Sequence, residues 1–318
     1  MPFTMHTFHN LSKTTQPVAL YLNSDIAAFQ IQERHINAIK NIFPTSVICF
    51  NKDEFLDLLP CVEIAITWSF EEQWYPLASK LHTILTPAAG RERIAEDSNN
   101  KVKVEHGTFH GVIMAESLLS MMLWHSRELN LSFSAQKQKK WLRNELSQSK
   151  RLGSQHHFIL GYGAIGRICA KYLKTLGATI TGVKRSCRDA KLDDDADQII
   201  HPDELIAYLP QADTLISVLP SGTDTDNLLT SQHFSAMKNG TYFYNIGRGN
   251  CYDENDLCEA LYNGPLVGAG LDVFNQEPLS SKSALWDHPN TIITPHSSAI
   301  HDEYLDLYIK ELERRVYN

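Results

Sequence analysis

The sequence has few of the features that would mark a metal, disulfide, nucleic-acid or membrane protein. Its six cysteines (Cys49, Cys61, Cys169, Cys187, Cys251 and Cys258) form no C-x-x-C pair and show no zinc-type spacing. In a chain of 318 residues they read as reduced thiols rather than a disulfide framework. There is no basic excess: a net charge of -8 and a pI near 5.9 argue against phosphate-backbone binding. The one basic run, Lys137 to Arg143, is interrupted by Gln138, Trp141 and Leu142 and reads as a solvated face. No apolar stretch approaches the roughly 18 residues of a membrane helix. The polar tail 1–16 lacks the charged and apolar regions of a secretory signal. Gly107 disfavours a helical metal pair between His106 and His110, and no third ligand accompanies them. A cytoplasmic protein without metal, nucleic-acid or membrane partners is expected.

What is present, 43% hydrophobic and 21% charged residues, suits a soluble globular chain with room for two domains. Short apolar runs of strand length occur at Val18–Leu22, Ser46–Phe50, Glu63–Thr67 and Thr83–Leu85, with an amphipathic helix expected over Ile26–Asn41. A long apolar helix is predicted over Phe109–Leu129, followed by a polar, basic stretch. From His157 onward strand and helix patterns alternate regularly to Thr294, and a helix closes the chain over Asp302–Tyr317. Such alternation predicts an α/β protein built from parallel βαβ units.

One turn in that series has the spacing of a nucleotide site. Gly161-Tyr162-Gly163-Ala164-Ile165-Gly166 follows the strand His157–Leu160 and opens the helix Arg167–Leu176. Gly161 permits the turn, Gly163 lets backbone approach a pyrophosphate, and Gly166 lets helix and strand pack closely. The helix N-terminus offers unpaired N–H groups to the phosphates. At the end of the next strand an NAD site would carry Asp or Glu for the ribose 2′-OH. Here stands Val183-Lys184-Arg185-Ser186-Cys187-Arg188, with no carboxylate. Lys184, Arg185 and Ser186 suit a 2′-phosphate, so NADP(H) is expected in preference to NAD(H).

Three polar residues lie farther along. Arg248, between Gly247 and Gly249, can grip a planar carboxylate and polarise a neighbouring carbonyl. The flanking glycines are expected to give its backbone room beside a ligand. Glu277 precedes Pro278, and His296 follows Pro295 at the end of an apolar strand, where open α/β sheets bind ligands. A carboxylate paired with the imidazole stabilises its protonated form, fitting His296 to give a proton to a carbonyl oxygen as hydride reaches carbon.

In these segments the chain resembles the D-isomer-specific 2-hydroxyacid dehydrogenase family, most closely its glyoxylate/hydroxypyruvate reductases. The resemblance begins near Thr83–Gly90 and includes Met114-Ala115-Glu116 and the glycine turn. It continues through Asp213–Leu215 with Leu219-Pro220, Asn245–Gly249, Leu271–Pro278 and Thr294–His296. It implies two doubly wound parallel-sheet domains: a Rossmann nucleotide domain (116–299) inserted in a flavodoxin-like substrate domain (1–115 plus 300–318). Arg248, Glu277 and His296 are the implied catalytic set. The resemblance further implies that Asp272 meets the nicotinamide amide and that Leu219 and Pro220 line the adenosine pocket, with Ile246 and Gly247 also on the cofactor side. Ala89 and Gly90 would take the substrate carboxylate, joined by Trp68, for which a place in the core is equally open. The implied activity is NAD(P)H-dependent reduction of a small 2-oxoacid to the D-2-hydroxyacid by a homodimer. Alternatives are an NAD-linked D-lactate-like or 3-phosphoglycerate dehydrogenase and a nucleotide-sensing, corepressor-like protein. Glu277 argues against formate dehydrogenase activity, where glutamine stands instead.

Overall fold

The computed structural model describes residues 17–186 and 194–317. The tail 1–16, Cys187 and Arg188 lie outside the described residues. The chain divides into two compact units, one running to His110 and resuming at Ile300, the other spanning Gly111–Ala299.

The first unit is built on β1 (Val18–Tyr21), β2 (Ser46–Ile48), β3 (Ile64–Thr67), β4 (Thr83–Thr86) and β5 (Lys103–His106). All pairs are parallel, in the order β2-β1-β3-β4-β5, which is the flavodoxin-like arrangement. The expected helix over Ile26–Asn41 is broken. Ala27–Phe29 forms a single 3-10 turn, and α1 (Glu33–Ile42) starts afresh where Gln32 and His35 cap each other. Helix α2 (Lys52–Leu58) begins at Asn51, whose side chain accepts from the Glu54 N–H. Neither α2 nor β5 is evident in the hydrophobic pattern. β5 is an edge strand with no fully buried residue, so it leaves little apolar signal. The C-terminal helix Tyr304–Tyr317 belongs to this unit, anchored where Glu311 accepts from the N–H and hydroxyl of Thr108.

The second unit opens with α3 (Gly111–Ser126) and α4 (Leu129–Lys137). The single helix expected over Phe109–Leu129 ends early because Glu128 is left-handed (φ 51), and its buried carboxylate accepts from Gln148 N and Ser149 Oγ. α4 begins the polar stretch that follows. Then come β6 (His156–Leu160), α5 (Ala164–Thr175), β7 (Thr179–Val183), β8 (Gln198–Ile200), α6 (Leu205–Tyr208) and β9 (Thr214–Ser217). They are followed by α7 (Ser231–Ser235), β10 (Thr241–Asn245), α8 (Glu254–Tyr262), β11 (Leu266–Leu271) and β12 (Thr291–Ile293). The sheet order is β12-β11-β10-β9-β6-β7-β8, parallel throughout. The first and second mononucleotide halves therefore meet between β6 and β9, the switch point of a Rossmann sheet. One core layer packs Phe158, Leu215, Phe243, Leu257 and Leu271 on one face. Another packs Leu118, Met122, Ile159, Tyr162 and Tyr244 on the other.

Two histidines are buried within this unit as neutral rings. His157 Nε2 donates to Leu152 O (3.0 Å) and Nδ1 accepts from Thr214 Oγ1 (2.7 Å). His125 Nε2 donates to Asn290 O and Nδ1 accepts from the Tyr244 hydroxyl, each at 3.0 Å. Burial pushes both pKa values down to about 4. A ring depressed on folding favours the unfolded chain once that chain starts to protonate. The stability it permits is complete above about pH 6.5 and is lost as pH falls toward 4, at about 1 kcal/mol per pH unit for each ring. Urea-unfolding free energies should therefore decline from pH 6.5 to 4, and His157→Gln should flatten the slope. An unchanged slope in that variant would remove His157 as a cause.

Candidate active site

In the Rossmann sheet the last residues of six strands fall in one register row, Ile293–Leu271–Asn245–Ser217–Leu160–Val183. Each singled-out segment of this unit leaves the sheet just beyond that row. His296 follows β12, Asp272 and Glu277 follow β11, Arg248 follows β10, Leu219 and Pro220 follow β9, the glycine turn follows β6, and Lys184–Ser186 follow β7. Parallel pairing thus brings sequence-distant groups to one carboxyl-end edge, where open α/β sheets bind ligands.

The glycine turn fits a phosphate chain. Gly161 has φ +93, and a Cβ there would stand 2.8 Å from Val218 O. A Cβ on Gly166 would stand 2.5 Å from Gly161 O, so only glycine lets α5 sit this close to β6. Above Gly163 nothing lies within 4 Å, leaving backbone open to a ligand. Helix α5 begins there without a side-chain cap, so its first N–H groups have no side-chain acceptor of their own. Ala164 is exposed and Ile165 half-buried, whereas the Tyr162 ring is core and presses on Gly182. Any contact from Tyr162 to a nucleotide must come from its backbone. Beyond β7, Arg185 and Ser186 are exposed and Lys184 half-buried, its N–H donating to Ile200 O. Arg185 Nη1 forms an ion pair with Asp224, from the loop after β9. Leu219 and Ile246 are buried, and Pro220 is exposed.

The turn carrying Arg248 is held by Asn245, a fully buried residue with no evident role in the sequence. Its Oδ1 accepts from Gly247 N (3.0 Å) and its Nδ2 donates to Arg248 O (2.9 Å). Arg248 Nη1 donates to Gly247 O at 2.8 Å. The glycines flanking Arg248 also answer to backbone packing. A Cβ on Gly247 would lie 2.5 Å from Leu219 O, and one on Gly249 2.0 Å from the Phe274 carbonyl carbon.

His296 and Glu277 meet directly: Nδ1 lies 2.7 Å from Glu277 Oε2. Glu277 Oε1 accepts from Phe274 N at 3.0 Å, which fixes the carboxylate, and the Glu277–Pro278 peptide is cis. With Nδ1–H donated to the carboxylate, Nε2 is the nitrogen presented to a reactant. His296 is left-handed (φ 50), a conformation histidine tolerates better than most residues but which needs support. Asp272, fully buried, supplies it: Oδ1 accepts from Thr294 Oγ1 (2.5 Å) and Ser297 N (2.8 Å), and Oδ2 from Ser298 N (2.9 Å). The Asp272 carbonyl accepts from His296 N at 2.8 Å. Ser117 of α3 adds a bond to Ser298 O (2.9 Å). This bracing by Asp272 is a second structural duty beyond the nicotinamide contact implied from sequence.

In the first unit, Trp68 follows β3, and Ala89 and Gly90 follow the adjacent β4, so the three share that sheet's carboxyl-end edge. Trp68 is 8% exposed and packs against Phe29 and Tyr304, with ring centroids at 5.3 and 5.7 Å. Its Nε1 has no hydrogen-bond partner among the described residues. Ala89 is exposed and Gly90 half-buried.

Residues 119–298 match the family model for the D-isomer specific 2-hydroxyacid dehydrogenase, NAD binding domain. The chain belongs to this family. Among characterised relatives it is similar to glyoxylate/hydroxypyruvate reductase A of Salmonella choleraesuis (strain SC-B67), with 35% identity over 161 residues. That match covers 49% of this chain and 51% of the relative, so the similarity spans about half the length of the curated relatives. A crystal structure of a family protein from Aeromonas salmonicida subsp. salmonicida A449 is 32% identical, covering 95% of this chain and 96% of its own, with TM-score 0.74. An NADPH-dependent glyoxylate/hydroxypyruvate reductase from Sinorhizobium meliloti, solved with NADP and sulfate, is 25% identical. It covers 95% of this chain and 94% of its own, with TM-score 0.75. Among the described residues no group of three or more His, Cys, Asp or Glu is placed to hold a metal, and no helix is long and apolar enough to cross a membrane.

Proposed function

We propose that the protein is an NADPH-dependent reductase of small 2-oxoacids, of the glyoxylate/hydroxypyruvate type, forming the D-2-hydroxyacid. The observation that carries this reading is the shared carboxyl-end edge, on which a phosphate-binding turn, a guanidinium and a bonded His–Glu pair follow strands of one sheet. The residues present fit the nucleotide: open backbone at Gly163 and the uncapped start of α5 suit its pyrophosphate, and Arg185, Ser186 and Lys184 its 2′-phosphate. Ile246, Gly247 and Asp272 take the nicotinamide side, and Leu219 and Pro220 the adenosine. When bound, the cofactor supplies the hydride for C2 of the oxoacid.

The chain's own groups do the rest. Arg248 clamps the substrate carboxylate and polarises the adjacent carbonyl. His296 gives its Nε2 proton to the carbonyl oxygen, and in the reverse direction takes it from the hydroxyl. Glu277 holds the ring by Nδ1 and stabilises its charged form. The first unit takes the part of substrate domain, with Ala89, Gly90 and Trp68 at its sheet edge receiving the acid.

A homodimer in the cytoplasm completes the reading. The exposed side chains of Leu123, Leu129, Leu131, Phe133 and Trp141 around α3 and α4 support a second copy covering this region. A solution mass of one 36.0-kDa chain would remove the dimer. The free thiols recorded for Cys49, Cys61, Cys169, Cys251 and Cys258 suit a reducing compartment.

Initial rates with glyoxylate, hydroxypyruvate, pyruvate and 3-phosphohydroxypyruvate, each with NADPH and NADH, test the activity. NADPH oxidation with the first two is expected. NADPH binding without turnover on any oxoacid would replace the enzyme with a nucleotide sensor.

A further inference from the structure

The ion pair between Arg185 and Asp224 has a telling position. Arg185 follows β7 and Asp224 lies in the loop after β9, the strands flanking β6 on either side. A bond between them therefore spans the glycine turn that follows β6. Both side chains are about two-thirds exposed, so neither is held there by burial. The loop bearing Asp224 is itself fixed: Thr225 Oγ1 donates to Pro220 O and Gly222 O, each at 2.8 Å, and Thr225 N to Gly222 O at 2.8 Å. The carboxylate is thus presented from an ordered turn toward the guanidinium that a 2′-phosphate would need.

We infer that Asp224 is a cofactor-specificity residue, a built-in anion that occupies Arg185 until a 2′-phosphate displaces it. This rests on the reading that Arg185 receives that phosphate. The chemistry is an exchange of partners: one guanidinium leaves a carboxylate for a doubly charged phosphate, and the carboxylate returns to water. Asp224 therefore weakens binding of every 2′-phosphorylated nucleotide and leaves unphosphorylated ones untouched. It narrows the gap between NADPH and NADH that Arg185 opens. An exposed ion pair is weak and salt-screened, so the effect is a few-fold and largest at low ionic strength.

The test is titration of the full chain with NADPH, NADH, 2′,5′-ADP and 5′-AMP, at low and at moderate salt, for wild type, Asp224→Asn, Arg185→Ala and the double variant. Asp224→Asn should tighten NADPH and 2′,5′-ADP roughly two- to fivefold and leave NADH and 5′-AMP unchanged, with the gain shrinking in salt. In the Arg185→Ala background the same substitution should lose most of its effect. Arg185→Ala weakening 2′,5′-ADP while Asp224→Asn changes nothing would overturn the role of Asp224 and leave the NADP reading intact. If Arg185→Ala leaves 2′,5′-ADP binding unaltered, the NADP reading itself fails, and the inference with it. Equal tightening of 5′-AMP and 2′,5′-ADP by Asp224→Asn would reduce Asp224 to a general effect on the loop and overturn the inference.

Discussion

His296→Ala should lower kcat with glyoxylate by about 10²- to 10⁴-fold, the span that a positioned general acid contributes, while NADPH affinity stays at the wild-type value. The separation follows from the geometry. His296 stands after β12 at the far end of the sheet row from Arg185, after β7, and its Nδ1 is engaged by Glu277 at 2.7 Å. Loss of the ring removes the proton donor and leaves the nucleotide contacts alone. Glu277→Gln should give a smaller fall, because the amide can still accept from Nδ1–H but no longer stabilises the charged ring. Single-turnover rates with pre-bound NADPH are the measurement. Wild-type kcat in His296→Ala would end the proton-transfer role.

Arg248→Lys should depress kcat/KM for 2-oxoacids by roughly 10- to 100-fold, the loss expected when a charge-assisted, bidentate grip is reduced to a single point charge. The backbone should tolerate the change, since the Asn245 side chain and the packing of Gly247 and Gly249 hold the turn even where the guanidinium's bond to Gly247 O is lost. A carbonyl substrate lacking the carboxylate separates binding from chemistry. Its slow reduction should fall less than that of the acid, because it loses only the change in carbonyl polarisation and not the bidentate grip. An equal loss on acid and non-acid substrates would show that Arg248 is not the carboxylate anchor.

Much of this site was legible in the sequence because it depends on local backbone demands. A glycine is needed at 161 for φ +93 and at 166 for the 2.5 Å approach to Gly161 O, and both leave a spacing that can be read without coordinates. His296 and Glu277 were recognisable by order and resemblance. Their pairing was expected as well; the contact that realises it was not legible, because it depends on β11 and β12 lying side by side. Asn245 and Asp224 escaped notice for the same reason. Each acts through a hydrogen bond or ion pair to a turn, and neither has a residue type that marks such a role. Asn245 could have been suspected from its place in the segment Asn245–Gly249, whereas Asp224 carried no signal.

Secondary structure divides along similar lines. Buried strands such as Thr179–Val183 and Thr241–Asn245 stood out, as did the edge strands Ser46–Ile48 and Thr291–Ile293, whereas the edge strands Lys103–His106 and Gln198–Ile200 did not. An edge strand need bury little, and burial is what writes hydrophobicity into a sequence. The break at Glu128 was equally silent, since no glycine marks its left-handed turn and the carboxylate's partners, Gln148 and Ser149, lie a loop away.

The sequence by itself determined the α/β alternation, the phosphate-binding turn and the identity of the three polar residues. These follow from the local conformations that glycine allows and from the burial periodicity of strands and helices. Only the tertiary structure decided which of those residues meet, and that the guanidinium expected to receive a phosphate already faces Asp224. Such pairings depend on strand order across a sheet, which is set by the packing of both faces rather than by any local run of residues.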